Sequence, residues 1–89
     1  MHFQWDETKR TANVAKHGLD FADLGAFDWE AAVVSPDLRR DYSESRFIAI
    51  GRYEGRMHVV IFAVRSEAYR IISFRRANDR EVRRNEEKI

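Results

Sequence analysis

Eighty-nine residues, 44% apolar and 35% charged, suit one domain over residues 1–89 with a single modest core. No apolar stretch approaches the ~20 residues a membrane span needs, no basic-then-apolar segment opens the chain, and without cysteine there is no disulfide framework. A cytoplasmic protein without membrane contact is the expectation. The net charge of +1 conceals an asymmetry: residues 1–45 hold five Lys or Arg against nine Asp or Glu, and residues 46–89 hold eleven against six. All but one of those eleven cations are Arg, whose planar fork of donors suits phosphate or carboxylate.

His2 to Trp5 alternates polar and apolar residues and reads as a short first strand. Asp6 then caps a helix to about His17, with Glu7 favourable in its first turn, Lys16 and His17 in its last, and Gly18 as its stop. Apolar content inside the helix is thin, so Trp5, Leu19 and Phe21 must hold it from its flanks. A second short helix follows Asp20, and a strand begins near Ala31. Ser35, Pro36 and Asp37 open a charged loop through Ser45, the one segment with a flexible composition.

Arg46–Tyr53 and Arg56–Val64 are β-rich runs separated by Glu54 and Gly55, a two-residue hairpin pattern. That loop length pairs Tyr53 with Arg56 and Arg46 with Ala63. It also places Arg46, Ile48, Ile50, Arg52, Met57, Val59, Ile61, Ala63 and Arg65 on one face. Both faces are apolar, which makes 57–64 a central strand, followed by Tyr69–Arg75 in an antiparallel meander. The turn through Ser66, Glu67 and Ala68 leaves parity open: an even loop brings Arg70 and Arg76 beside Arg65, an odd one Ser73 and Arg75. Asn78 and Glu81 form a capping box for a last helix to about Lys88, which has only Val82 and Ile89 to bury.

The run Arg70, Ile71, Ile72, Ser73, Phe74, Arg75, Arg76, Ala77 carries more charge than a buried strand needs. It fits a phosphate-facing surface, and equally a sheet edge whose arginines snorkel or pair with carboxylates. His17 has an ordinary pKa near neutrality, as a general base requires, and its place in the last helical turn before Gly18 also suits a capping role. Lys9, Asn13 and Lys16 share one face of the first helix, which faces either solvent or a ligand. His58, beside Val60 and Phe62, reads as a packed core histidine. Trp5 and Trp29 adjoin apolar runs and read as core, though either could stack on a base. The three histidines are far apart and no metal-ligand spacing or glycine-rich phosphate loop exists, so no metal or cofactor is expected.

The opening pattern Phe3, Trp5, Asp6, Lys9, Asn13, Lys16, His17, Gly18, Phe21 resembles that of the BrnT family, toxins of type II toxin–antitoxin systems. The resemblance continues through Arg46–Gly51, the strand around Val59 and Val60, and Arg70–Ala77. It implies an α+β, RelE-like fold, an N-terminal strand and helices packed on a twisted antiparallel sheet with a short C-terminal helix. It also implies a ribonuclease that arrests growth until a cognate antitoxin binds. That partner would be a BrnA-like ribbon-helix-helix protein, so that a toxin–antitoxin hetero-oligomer meets DNA only through the antitoxin. One departure stands out: the family commonly carries an aromatic residue, usually Tyr, where this chain has Asn85.

Metal-independent cleavage by the ribose 2′-OH needs a base, cationic donors for the phosphorane and an acid for the leaving oxygen. The catalytic candidates are Arg65, Arg70, Arg75, Arg76 and His17, and the RNA-binding candidates are Lys9, Lys16, Arg46 and Ser73. The rival expectation is a catalytically weak corepressor subunit whose basic face holds an acidic antitoxin segment.

Overall fold

The computed structural model describes residues 2–89. In chain order these form β1 (His2–Gln4), α1 (Glu7–His17), a 3₁₀ turn (Phe21–Ala26), β2 (Val33–Pro36), β3 (Arg46–Tyr53), β4 (Arg56–Arg65), β5 (Ala68–Arg76), α2 (Asp79–Asn85) and a closing 3₁₀ turn (Glu86–Lys88). The strands make one α+β sheet in the order β1-β5-β4-β3-β2. The sheet is mixed rather than wholly antiparallel, because β1 lies parallel to β5 while every other pairing is antiparallel. A parallel pair needs a crossover, and here α1, β2 and the β3–β4 hairpin all intervene between β1 and β5.

Local chemistry fixes the ends of α1. The Asp6 carboxylate accepts from the backbone N–H of Thr8 at 2.7 Å, and Gly18 adopts the left-handed conformation while donating to the Val14 carbonyl. The segment after Asp20 is a 3₁₀ turn rather than an α-helix, and it drives Phe21, Leu24 and Phe27 into the core. These three pack on the sheet face that carries Ala49, Tyr53, Val60, Phe62, Ile71 and Phe74. Trp5 and Trp29 join from the margin, Trp29 edge-on to Phe27 and Phe62 and donating its indole N–H to the Leu24 carbonyl. Burying each large apolar side chain contributes about 1.5–3 kcal/mol.

Gly51 in β3 is where Phe27 meets the sheet: a Cβ there would stand 2.8 Å from the ring edge of Phe27 and 3.2 Å from the Asp28 carbonyl. His58 is buried on the same face, edge-on to Tyr53, with Nδ1 2.8 Å from the Arg56 carbonyl. Since a carbonyl can only accept, the proton sits on Nδ1. His58 is a core histidine.

The β3–β4 hairpin has the predicted register, Tyr53 with Arg56 and Arg46 with Ala63, around a turn in which Glu54 and Gly55 both have positive φ. The β4–β5 turn also has two residues, Ser66 and Glu67, again both at positive φ. Neither simple parity holds beyond it. Arg70 pairs with Ala63 and Ile71 with Phe62, but the next pair is Ile61 with Ser73, so Ile72 is a β-bulge. The bulge resets the alternation. Arg70, Ser73 and Arg75 all lie on the face opposite the core, and Arg76 pairs with His58 on the other.

Candidate nucleic-acid interface

β5 holds two kinds of edge partner. β1 covers it only from Ala68 to Arg70, beyond which α1 takes over through a single side chain. The Asn13 amide donates to the Phe74 carbonyl at 2.8 Å and accepts from the Phe74 N–H at 3.1 Å, reproducing the bonds a neighbouring strand would make. A further bond from Nδ2 reaches the Leu19 carbonyl. Asn13 is therefore buried, while its helix-face companions Lys9 and Lys16 stay exposed. Spacing could not separate them, because only the bare edge of β5 singles out Asn13.

This docking creates a shallow groove of about 230 Å³ lined by Lys9, Asn13, Lys16 and His17 of α1 and by Ile72 and Ser73 of β5. Four sequence candidates thus meet in one place. His17 is half-buried there, and burial first, then the charges of Lys16 and Arg75, hold its pKa below the ordinary 6.5. The imidazole is therefore neutral at pH 7 and able to accept a proton.

Arg75 lies two residues along the same face from Ser73 and is anchored from behind. Its two terminal nitrogens donate to the two Glu81 oxygens at 2.8 and 2.7 Å. The bidentate contact raises the Arg75 pKa and lowers that of Glu81. Glu81 also accepts from the Asn78 N–H while its own N–H donates to Asn78 Oδ1, so the capping box that starts α2 positions the guanidinium too. The box was legible in the sequence; that its carboxylate turns back onto Arg75 was not.

Arg46, Arg65 and Arg70 form a second group on this face. Arg46 and Arg70 both pair with Ala63, from either side, and Arg65 follows two residues along β4. Arg76 stands apart from both groups, lining a hollow with Arg52, Arg56 and Met57 at the other end of the sheet. Among the described residues no cluster of three or more His, Asp or Glu could hold a metal ion, and no helix is long and apolar enough to cross a membrane.

A family model described as the ribonuclease toxin, BrnT, of type II toxin–antitoxin systems matches residues 5–81. The chain belongs to the BrnT family. No curated protein matches it. Both the α1–β5 groove and the arginine row lie within the BrnT match, whereas α2 beyond Glu81 lies outside it. Asn85, where the BrnT resemblance leads one to expect an aromatic, is buried and donates to the Glu81 carbonyl one turn back. It is spent on its own helix and offers no ring to a base.

Proposed function

We propose that this chain is the toxin of a type II toxin–antitoxin pair and cleaves RNA without a metal ion in the groove between α1 and β5. The observation that carries this is the meeting of a neutral His17 with Lys9, Lys16 and Ser73, and with Arg75 close enough to influence its titration. His17 would take the proton of a ribose 2′-OH as its oxygen bonds to the adjacent phosphorus. The P–O5′ bond then breaks, and the departing oxygen takes a proton from water. Lys9, Lys16 and Arg75 offset the charge of the phosphorane, and the Ser73 hydroxyl donates to one of its oxygens. Cleavage would arrest growth in the cytoplasm until a cognate ribbon-helix-helix antitoxin covers the chain.

The test is purified chain with RNA in excess chelator. The expected products carry a cyclic phosphate and a 5′-hydroxyl, and His17→Ala lowers the rate on the order of 10²-fold or more, as loss of a general base does. The rate should fall as pH drops, with its half-maximal point below pH 6.5, because burial first, then the charges of Lys16 and Arg75, lower the His17 pKa. Cleavage unchanged by His17→Ala overturns the assignment.

One observation favours a second reading, a corepressor subunit that holds an acidic antitoxin segment: Arg65 and Arg75 are already paired with carboxylates, Glu44 and Glu81. An incoming acidic peptide could exchange with those partners. Wild-type chain that binds antitoxin yet neither cleaves RNA nor arrests growth would decide for it.

A further inference from the structure

The loop between β2 and β3 lies against the second arginine group. Glu44 Oε2 accepts from Arg65 Nε at 2.8 Å, and the ring of Tyr42 sits 4.2 Å from the Arg46 guanidinium carbon. The loop is itself anchored: the buried Asp37 carboxylate accepts two bonds from Arg39 at 2.8 Å and one from the Tyr42 hydroxyl at 3.2 Å. Between loop and strand remains a cavity of about 430 Å³ lined by Asp37, Leu38, Tyr42, Glu44, Arg46 and Phe47 among others. Arg46 Nε is buried there without a hydrogen-bond partner, and Arg70 has no ion-pair partner among the described residues. Arg65 thus meets one carboxylate and Arg46 one aromatic ring, and Arg70 stands on the same face across β4 from Arg46.

We propose that Arg46, Arg65 and Arg70 form a second phosphate position for single-stranded RNA, separate from the α1–β5 groove, and that Glu44 and Tyr42 occupy it in the unliganded chain as stand-ins for phosphate and base. The proposal rests on the RNA reading above. A carboxylate on Arg65 makes the charge-assisted contact a phosphate oxygen would make, and a ring over Arg46 makes the cation–π contact an unstacked base would make. Arg70 and Arg75 share one strand face five residues apart, about 16 Å along β5 at ~3.3 Å per residue. RNA gripped at both would span several nucleotides, so this second position adds affinity without touching the scissile bond. The loop must yield for RNA to enter it.

The probe is a short fluorescent single-stranded 2′-O-methyl oligonucleotide, which lacks the attacking hydroxyl, titrated against the full chain at several salt concentrations. Arg46→Ala and Arg70→Ala should each weaken binding and lower the slope of log affinity against log salt by about 0.7, the contribution of one phosphate contact on a single strand. Glu44→Gln should tighten binding about two- to fivefold, the scale of an exposed ion pair, and should have no effect once Arg65 is Ala. Arg70→Lys, which keeps the charge, should retain the salt slope and so separates a phosphate contact from a folding defect. His17→Ala should lower cleavage of ordinary RNA on the order of 10²-fold or more while leaving the salt slope unchanged, because it removes no charge. If His17→Ala cleaves normally while Arg70→Ala still flattens the salt slope, the groove assignment fails and the second phosphate position stands. Glu44→Gln and Arg70→Ala that both match wild type at every salt concentration overturn it.

Discussion

The two faces of the sheet are closed by different means. On one, Phe21, Leu24 and Phe27 press onto Val60, Phe62, Ile71 and Phe74, and the buried His58 and Asn13 spend hydrogen bonds on backbone. On the other, Met57, Val59, Ile61 and Ala63 are equally buried, but arginines flank them and hold carboxylates from the β2–β3 loop and from α2. The first face is held by apolar burial, which is insensitive to salt. Ion pairs border the second, and a phosphate could compete for them. The ion pairs that a phosphate could enter beside the candidate site, Arg65–Glu44 and Arg75–Glu81, thus border the second face, while Arg10–Asp20 ties α1 to the 3₁₀ turn over the core.

That contrast can be broken most directly at the core. Phe21→Ala removes a fully buried ring and should lower stability by about 4 kcal/mol, read as a large fall in the urea midpoint that added salt does not restore. Asn13→Leu should cost about 3 kcal/mol, because the Phe74 N–H and carbonyl lose their partner on an edge no strand covers. A loss below 1 kcal/mol would mean that water replaces the amide and that α1 is not fixed to β5 through this side chain. Gly51→Ala follows at about 2 kcal/mol, since the new Cβ would meet the Phe27 ring and the Asp28 carbonyl.

The arginine face should answer to pH instead. Hydrogen bonds from Arg39, above all, hold the Asp37 carboxyl at about 2, below the ordinary 3.8. Its contribution is therefore complete above about pH 4 and is lost as pH falls toward 2. Asp37→Asn should flatten the acid limb of a thermal-melting profile measured from pH 5 to pH 2. The profile should keep part of its slope, because the bonds from Arg10 and from the Ala22 N–H hold Asp20 about as low.

Local chemistry made much of this architecture legible. Asp6 and Gly18 bracket α1, Glu54-Gly55 sets the hairpin register, and Asn78 with Glu81 opens α2, each through contacts within a few residues. What the sequence concealed depends on contacts between distant segments. Asn13 reads as one member of a polar stripe until β5 presents a bare edge, and Glu81 reads as a cap until Arg75 comes alongside. Of the nine site candidates, the fold gathers Lys9, Lys16, His17 and Ser73 in one groove with Arg75 nearby, sets Arg46, Arg65 and Arg70 in a second group, and leaves Arg76 apart. That partition follows from one residue, Ile72, whose bulge no periodicity reveals because it keeps the apolar run unbroken.

The turn before that bulge offers the smallest and sharpest test. Ser66 and Glu67 occupy a two-residue hairpin loop with φ of 44° and 69°, where Asn-Gly or Asp-Gly is the favoured pair. Holding a side chain in the left-handed region at Glu67 costs about 1 kcal/mol, which glycine avoids, although the added freedom of the unfolded chain returns part of the gain. Glu67→Gly should therefore raise stability by about 0.5–1 kcal/mol in urea titrations. Removing an acidic group at the tip should leave the RNA salt slope unchanged, because the register that places Arg70, Ser73 and Arg75 on one face is held downstream by Ile71 and Phe74 in the core. If Glu67→Gly alters that slope, the turn and not the core anchors β5, and the assignment of arginines to the two faces must be drawn again.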